Sequence, residues 1–279
     1  TLFPYTTLFR SLGMHGYRLE VETHIITASA ASVENIRKCI ETTGVKVKAF
    51  VLNPLASAEV VLTEPERQLG VMVCDIGGGT TDLAIYISNN VWYTTVIPIG
   101  GDLITSDIAY GLRLSLPDAE KVKIAYGRAK EADTSNHETF SIRTFGEEEA
   151  REFHCADLAY IIEARTEEIF QFVLQELKRS GYDGLLPAGV VLTGGSSLLP
   201  GIRELASDVL GLPVRIAQPE GLNGLVDQLY SPAYSTSVGL LKWAGILASA
   251  VKRSSRMHSL PPVSALERVK EFLKRFLPQ

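Results

Sequence analysis

Hydrophobic residues along the chain change their spacing several times, and this pattern predicts a protein of mixed strands and helices. From Val71 to Ile76 almost every residue is apolar, which is typical of a strand buried on both faces of a sheet. Further strands are predicted at 82–88 and 91–98, joined at Asn89-Asn90, because asparagine tolerates the positive φ of a tight hairpin. These three strands are expected to lie side by side and to open a domain.

The other predicted elements alternate along the chain, as in an α/β fold. A long helix is expected over 157–180, with apolar residues at helical spacing and Gly181 at its end. The remaining helices are predicted at 32–43, 54–62, 103–111, 117–127, 201–210 and 236–251. The remaining strands are predicted at 17–26, 47–52, 188–193 and 213–217, and polar, irregular segments at 63–68 and 131–144.

A glycine-rich turn after the first buried strand carries the clearest candidate chemistry. Gly77–Gly79 would let backbone N–H groups approach an anion, and the hydroxyls of Thr80 and Thr81 could add donors. Asp75 would be an unpaired buried carboxylate beside that anion, so a hydrated Mg²⁺ bridging to phosphates is its natural partner. The alternative is a hairpin that only turns, but a turn alone does not require Asp75, two threonines and Asp82.

A second glycine pair, Gly194-Gly195, follows the strand predicted at 188–193. It permits close approach of a flat base or a ribose, and the helix that opens after Leu199 favours polar ligand groups nearby. A plain strand-to-helix turn is the alternative. Glu120 and Lys123 are three residues apart and so share one helix face, where they form either part of a site or an ordinary solvated ion pair.

Together these motifs resemble those of the actin, Hsp70 and sugar-kinase superfamily and, within it, the FtsA family of bacterial cell-division proteins. The resemblance covers about residues 12 to 250 and rests on these segments: LASAEVVLTEPERQLGVMVCDIGGGTTDLAIY, VIPIGGDLITSDIAYGL, PDAEKVKIAYG, GVVLTGGSSLLPGI and YSTSVGLLKWA. It implies an α/β, actin-like (ribonuclease H-like) fold, with one complete half and the remainder of the first half.

The same resemblance implies a site for ATP and Mg²⁺. The loop Gly77 to Thr81 would hold the β- and γ-phosphates, with Asp75 on the Mg²⁺ through water. Glu120 and Lys123 would reach the ribose and base. The full expected set of nucleotide-binding residues is Asp75, Gly77, Gly78, Gly79, Thr80, Thr81, Gly100, Gly101, Glu120, Lys123, Gly194, Gly195, Ser196 and Leu199.

Two departures from the family pattern limit the expected activity. The first phosphate loop of the family is absent from this sequence, so we expect the chain to bind ATP more weakly than a longer protein that contains that loop. Asn53 stands where many hydrolysing relatives have glutamate or glutamine, and asparagine is shorter and cannot act as a general base. ATP binding is therefore expected, with weak or absent hydrolysis.

Comparison with the family also divides the chain into segments. Residues 1–11 are expected to be a non-native leader, and 12–29 a remnant of the FtsA-specific inserted subdomain. The remaining assignments are 30–68 as a remnant of the first actin-like subdomain, 69–117 with 184–251 as the second, 118–183 as a small inserted subdomain, 252–262 as a linker and 263–279 as an amphipathic membrane-targeting helix.

The composition of the chain limits the classes of partner that it can bind. The net charge of −5 and the pI near 5.6 exclude a protein that coats nucleic acid through a global positive field. The three cysteines lack metal-site spacing, and the chain shows no secretory signal, as expected for a protein of the reducing cytoplasm.

The terminal segment 263–277 has one apolar stripe and more basic than acidic residues. At about 1.5 Å per residue it would form a helix too short for a bilayer of about 30 Å, but able to lie in the membrane interface. Docking on its own domain is the alternative, and the preceding linker favours the membrane. The expected membrane-contacting residues are Val263, Leu266, Val269, Phe272, Leu273, Phe276 and Leu277.

Taken as a whole, the resemblance implies an actin-like protein that polymerises on the inner face of the cytoplasmic membrane, at the division septum. Its implied partners are the FtsZ C-terminal peptide, bound through the segment 118–180, further copies of itself, the membrane surface and later division proteins. Two alternatives stay open. One is a PilM-like pilus assembly ATPase, and the other is a small-molecule kinase of the same superfamily, for which the sequence offers no dedicated carboxylate base.

Overall fold

The computed structural model describes residue 17 and residues 23–130, 138–221 and 229–258, with side chains as far as residue 248. Its helices are α1 (Ala30–Glu41), α2 (Asn53–Val61), α3 (Glu64–Leu69), α4 (Gly101–Leu112), α5 (Leu116–Tyr126), α6 (Cys155–Ser180), α7 (Ile202–Leu210) and α8 (Ser235–His258). Its strands are β1 (Val71–Ile76), β2 (Thr81–Ile87), β3 (Asn90–Ile97), β4 (Thr139–Arg143), β5 (Ala150–His154), β6 (Val190–Thr193) and β7 (Val214–Ile216). Short 3-10 turns occupy Gly195–Leu198 and Pro232–Tyr234.

A five-stranded sheet in the order β3-β2-β1-β6-β7 forms the centre of the described structure. β2 pairs antiparallel with both β1 and β3, whereas β6 pairs parallel with both β1 and β7. The predicted three adjacent strands and the central buried strand are therefore confirmed. The register places Asp75 opposite Asp82 on β2 and beside Thr193 on β6, so three polar residues meet where β1 and β6 end.

Each face of the sheet has its own hydrophobic core, because the side chains of β1 alternate between the faces. Met72, Cys74 and Ile76 join a buried cluster with residues of α6 and α7, while Val71 and Val73 join a cluster with α2. A strand covered in this way needs apolar residues at consecutive positions, which explains the unbroken run in the sequence. Each fully buried aliphatic side chain stabilises the fold by about 1.5–3 kcal/mol.

A third core joins α4, α5, the first half of α6 and the β4–β5 hairpin. Phe140 of β4 stacks between Tyr126 and Phe153, at ring-centroid distances of 5.0 and 5.8 Å. Arg165 on α6 donates from Nε to Asp107 Oδ2 at 2.5 Å, which joins α6 to α4. These contacts hold α4 and α5 beside the end of the sheet where the polar residues meet.

Several sequence predictions differ from the structure. Residues 23–26 and 47–52 form no strand. The apolar side chains of the first segment are exposed, and those of the second are exposed or half-buried. The predicted polar connection 63–68 instead contains α3, whose start is closed by a capping box between Thr63 and Glu66. The predicted irregular segment 131–144 contains β4, and β5 was not predicted. The hairpin turn lies at Ser88 and Asn89, one residue earlier than predicted.

The chain separates into one unit over residues 1–240 and a second over residues 241–279. Within the second unit, α8 continues to His258, through part of the segment interpreted as a linker. The predicted helix at 263–277 lies outside the described residues, as do residues 1–16 and 131–137. No helix in the described part of the chain is both long enough and apolar enough to cross a membrane.

Candidate functional site

The loop between β1 and β2 closes on itself and leaves backbone donors unused. Gly77 N–H donates to the Thr80 carbonyl at 2.9 Å, which makes a tight turn. Among the described residues, the Gly78 and Gly79 N–H groups donate no backbone hydrogen bond. The two threonine hydroxyls are already committed: Thr80 donates to Asp82 at 2.9 Å and Thr81 to the Ile99 carbonyl at 2.8 Å. The loop therefore offers mainly backbone donors to an anion.

The glycine pair at the start of α4 packs directly on this loop. Gly101 N–H donates to the Gly77 carbonyl at 2.9 Å, and Asp102 N–H donates to the Gly78 carbonyl at 2.8 Å. A Cβ at Gly100 would lie 2.4 Å from the Gly78 carbonyl oxygen, so a side chain there would separate the two segments. The predicted site residues Gly100 and Gly101 are thus placed at the loop.

The second glycine turn reaches the same loop from the end of β6. Ser196 Oγ donates to the Gly77 carbonyl at 3.0 Å. Gly194 has a φ of +87°, and a Cβ there would lie 2.5 Å from Asp75 Oδ1. Only glycine fits such a conformation and such a contact. The two glycine turns, which are more than a hundred residues apart in the chain, therefore meet in one place.

Lys123 and Glu120 lie beside Gly101. Lys123 Nζ is 2.7 Å from Glu120 Oε2, 2.7 Å from Thr105 Oγ1 and 3.2 Å from the Gly101 carbonyl. Burial raises the pKa of Glu120, but hydrogen bonds from Lys123 and Thr105 outweigh it, and the net pKa lies below the ordinary value. A half-buried ion pair in contact with a glycine turn differs from the solvated pair that was the alternative.

Asp75 is buried but is not unpaired, and this corrects the sequence argument. Its Oδ2 accepts hydrogen bonds from Ser57 and from Thr236, the latter at 2.8 Å. Burial raises the pKa of Asp75, and these two hydrogen bonds oppose the rise. Burial also raises the pKa of Asp82, and the nearby charge of Asp75 raises it further. Two carboxylates thus lie side by side at the end of the sheet.

The remaining predicted residues have different surroundings. Asn53 lies near enough to Asp82 for its amide to lower the pKa of that carboxyl. Leu199 ends the 3-10 turn and packs against two hydrophobic cores, which makes it an apolar support of the turn. Gly79 has no atom within 4 Å of a Cβ position, and Gly195 has only Ala233 at 3.8 Å, so both face open space.

Three hydroxyl residues at the site were not predicted from the sequence: Ser57, Thr105 and Thr236. Ser57 is fully buried on α2, and Thr105 is buried on α4. Both lie on the apolar face of a helix, where an isolated hydroxyl needs a hydrogen-bond partner. That signal is present in the sequence, but the identity of the partner depends on contacts between distant segments.

The match to protein families adds an independent finding. A model of the family described as cell division protein FtsA matches residues 72–239. The chain belongs to the FtsA family. The matched residues include both glycine turns, Glu120 and Lys123.

Individual FtsA proteins match most of this chain. The Pseudomonas aeruginosa protein is 42% identical over 268 residues, which cover 94% of this chain and 64% of that protein. The Neisseria meningitidis protein is 46% identical over 231 residues, which cover 82% of this chain and 56% of that protein. The Escherichia coli K12 protein is 38% identical over 239 residues, which cover 83% of this chain and 57% of that protein. The chain spans 64% or less of the length of these three FtsA relatives.

Solved structures confirm the actin-like fold expected for FtsA. MreB5 of Spiroplasma citri, bound to ADP, superimposes with a TM-score of 0.62 at 19% identity, over 81% of this chain and 68% of that chain. A chain of the PilM-PilN type IV pilus biogenesis complex gives a TM-score of 0.57 at 20% identity, over 75% of this chain and 56% of that chain. At such low identity, these likenesses establish the fold alone.

Proposed function

We propose that this FtsA-family chain binds an adenine nucleotide where the two glycine turns meet, and that it acts in cell division as an actin-like protein. One observation carries the proposal: Gly77 accepts hydrogen bonds from both Gly101 N–H and Ser196 Oγ. These bonds bring the phosphate-loop candidates, the nucleoside candidates and the Lys123–Glu120 pair together. Separate structural turns would have no reason to converge on one carbonyl group.

The arrangement suits the parts of a nucleotide. The unused N–H groups of Gly78 and Gly79 suit phosphate oxygens, because backbone donors in a glycine turn form an anion-binding concavity. Lys123 and Glu120 offer a donor and an acceptor to ribose hydroxyls or a base. Gly195 leaves space for a flat group beside it, while Gly194 packs closely on Asp75.

The carboxylates also fit a divalent cation. Asp75 and Asp82 are directly opposed across β1 and β2 and therefore face the same side of the sheet. In the described part of the chain, their hydrogen-bond donors are the neutral hydroxyl groups of Ser57, Thr236 and Thr80. Mg²⁺ would balance this negative charge, and Asp75, through water, would hold it. The cation would neutralise phosphate charge when the nucleotide binds.

Nucleotide binding can be tested by comparing two lysines of α5. Lys123 lies in the site with 14% of its side chain exposed, whereas Lys121 pairs with Asp118 on the surface and is 76% exposed. We expect Lys123→Met to weaken binding of a fluorescent ATP analogue about tenfold or more, because a hydrogen bond from a charged group contributes about 1.5–3 kcal/mol. Lys121→Met should bind as the wild type does. Equal affinity of the two variants would contradict the proposed site.

Hydrolysis is expected to be slow even with the nucleotide bound. Asn53 lies near Asp82, and its amide has no basic group to accept a proton from water. We therefore propose that the nucleotide acts mainly as a ligand that stabilises one assembly state. Phosphate release measured over hours should stay near the uncatalysed rate, and Asn53→Gln is the variant that could raise it.

We further propose the partners that FtsA membership implies: the FtsZ C-terminal peptide, other copies of the chain in a filament, later division proteins, and the membrane surface at the septum. The peptide would bind the small subdomain proposed for 118–183, in which α5, the β4–β5 hairpin and the first half of α6 share a core with α4. A pull-down with the FtsZ C-terminal peptide and, separately, a PilN peptide tests this. Retention of only the PilN peptide would favour the pilus-assembly alternative.

A further inference from the structure

Three oxygen atoms form a closed triangle beside the candidate nucleotide site. Asp75 Oδ2 accepts from Ser57 Oγ and from Thr236 Oγ1, and the two hydroxyl oxygens are themselves 2.9 Å apart. Ser57 is fully buried and Asp75 is nearly so. The two hydroxyls therefore have little freedom to find other partners.

The triangle joins three separate elements. Asp75 ends β1, Ser57 lies in the middle of α2, and Thr236 lies in the first turn of α8. One turn further along α8, Gly239 packs so closely on α2 that a Cβ there would lie 1.9 Å from the Ala56 carbonyl oxygen. Because the backbones touch at this point, the two hydroxyls are held at fixed positions relative to the carboxylate.

Ser235, the residue of α8 before Thr236, is held by a hydrogen bond to β6 rather than to β1. Ser235 is fully buried, and its Oγ is 2.6 Å from Thr193 Oγ1 on β6. The first turn of α8 thus contacts the ends of two adjacent strands, through one hydroxyl each. Of the Ser235 and Thr236 hydroxyls, it is that of Thr236 that donates to Asp75.

The hydrogen bonds divide the two carboxylate oxygens of Asp75 between different tasks. Oδ2 is occupied by the two hydroxyls, while Oδ1 lies against Gly194 and has no hydrogen-bond donor among the described residues. Rotation of the side chain would break both hydroxyl contacts, so the triangle holds Oδ1 at the glycine turns. An outer-sphere contact to a hydrated cation depends on such a fixed acceptor.

We propose that Ser57 and Thr236 are positioning residues, which orient the Asp75 carboxylate for a divalent cation that arrives with the nucleotide. The inference rests on the proposed function, since it concerns the cation of the same site. It assigns a role in ligand binding to two hydroxyl residues outside the glycine turns. A purely structural role would stabilise the fold without altering the effect of the cation on nucleotide affinity.

The test uses the full 279-residue chain, because the triangle joins segments far apart in the sequence. The dissociation constant of a fluorescent ATP analogue is measured with MgCl₂ and with EDTA, and the ratio of the two values gives the cation effect. We expect Thr236→Val to reduce this ratio about tenfold, as is typical when an outer partner of a metal ligand is removed. Affinity in EDTA should change little. Thr236→Ser keeps the hydroxyl and should restore the ratio.

Ser235→Ala is the matched control, because it removes a buried hydroxyl from the same helical turn without touching Asp75. It should leave the cation effect unchanged. Thermal unfolding without ligand shows whether each variant folds. If Thr236→Val does not fold, Ser57→Ala provides the second test.

The possible outcomes are distinguishable. A wild-type chain that binds the analogue under neither condition would overturn the proposed function, and this inference with it. A wild type that binds with a cation effect, together with a folded Thr236→Val or Ser57→Ala that shows the same effect, would overturn the inference alone. If Ser235→Ala also lost the cation effect on nucleotide affinity, the loss would be due to altered packing of α8. That result would also overturn the inference.

Discussion

Gly194 illustrates how one residue couples the fold to the site. Its φ of +87° lies in a region that side-chain-bearing residues rarely adopt, and a Cβ would lie 2.5 Å from both Asp75 Oδ1 and the Ile76 carbonyl oxygen. We predict that Gly194→Ala lowers the free energy of unfolding by about 2–4 kcal/mol, because strain and a backbone clash add. Urea unfolding measures the loss, and titration with a fluorescent ATP analogue should show much weaker binding.

Gly211 is the matched control for this prediction. It also has a positive φ, +65°, but no atom lies within 4 Å of its Cβ position. Gly211→Ala should therefore cost only the conformational strain, about 1 kcal/mol, and leave nucleotide binding intact. If both variants lose the same stability, the contact with Asp75 is not what requires glycine at 194.

Glu66 is a second residue with a measurable consequence, this time for stability against pH. It accepts two hydrogen bonds from Arg215, at 2.6 and 2.8 Å, and one from the Thr63 N–H. Burial raises its pKa, but these hydrogen bonds outweigh burial and lower the pKa to about 2 from an ordinary 4.5. Since the folded pKa is depressed, the stabilisation is fully present above pH 4.5 and is lost as the pH falls towards 2.

We predict that Glu66→Gln lowers the free energy of unfolding by about 1–2 kcal/mol at pH 7, and that its difference from the wild type shrinks between pH 4.5 and pH 2. Urea unfolding over a pH series tests this. Glu204→Gln is the control, because Glu204 pairs with the adjacent, exposed Arg203 and such pairs contribute little. A pH-independent deficit in Glu66→Gln would show that packing, rather than ionisation, is responsible.

At the scale of the elements, the turn of the β2–β3 hairpin places two consecutive non-glycine residues in a left-handed conformation. Ser88 and Asn89 have φ values of 52° and 64°, the conformation of a two-residue turn in which both central residues are left-handed. We predict that Ser88→Val destabilises the protein by about 1–2 kcal/mol, since a β-branched residue is strained there. Ser88→Asn should retain or slightly increase stability. Urea unfolding of the two variants decides, and similar midpoints would contradict the turn assignment.

The elements that the sequence predicts well are those with a strong internal pattern. β1 has the boundaries predicted, because burial on both faces leaves an unbroken apolar run. α6 was predicted to within two residues at its start, since its apolar stripe is long and Gly181 ends it with a left-handed conformation. In such elements the local pattern and the tertiary contacts agree.

The failures have a common physical cause. The alternation at 17–26 and the apolar residues at 47–52 suggest strands, but a strand also needs a neighbour to pair with its backbone groups. The described residues of these segments form no backbone ladder with another strand. Conversely, the β4–β5 hairpin is mostly exposed, and its pattern is weak because only Phe140 is buried.

The candidate site shows the same limit. The glycine turns could be recognised from sequence because close backbone approach requires glycine itself. The partners of Asp75 could not, because Ser57 and Thr236 are 18 and 161 residues away and meet it only when α2 and α8 cross. For this reason the sequence predicted that the buried Asp75 carboxylate has no hydrogen-bond partner in the protein and that an ion takes that place.

At the level of the whole molecule, the site is assembled from segments spread between residues 53 and 239. Asp75, Gly101, Lys123 and Ser196 come from four different parts of the chain, and none of these parts could form the site alone. Nucleotide binding should therefore require the complete sheet and both of its covering layers. The segment 263–277 lies outside the described residues, so its proposed role is tested by itself, by deletion.

We predict that deleting residues 263–279 abolishes co-sedimentation of the protein with liposomes containing anionic lipid and leaves the thermal unfolding temperature unchanged. Burial of apolar side chains in the membrane interface would supply several kcal/mol, and the basic residues would add attraction to anionic headgroups. Phe272→Asp combined with Phe276→Asp should have the same effect as the deletion.

The charge-matched control for that double variant is Pro278→Asp combined with Gln279→Asp, which adds the same two negative charges beyond the apolar stripe. It should still co-sediment, with somewhat greater sensitivity to salt, because added acid weakens attraction to the headgroups without removing apolar contacts. If the deleted chain co-sediments as the wild type does, the segment is not a membrane anchor. If the deletion instead lowers the unfolding temperature, the segment docks on its own protein.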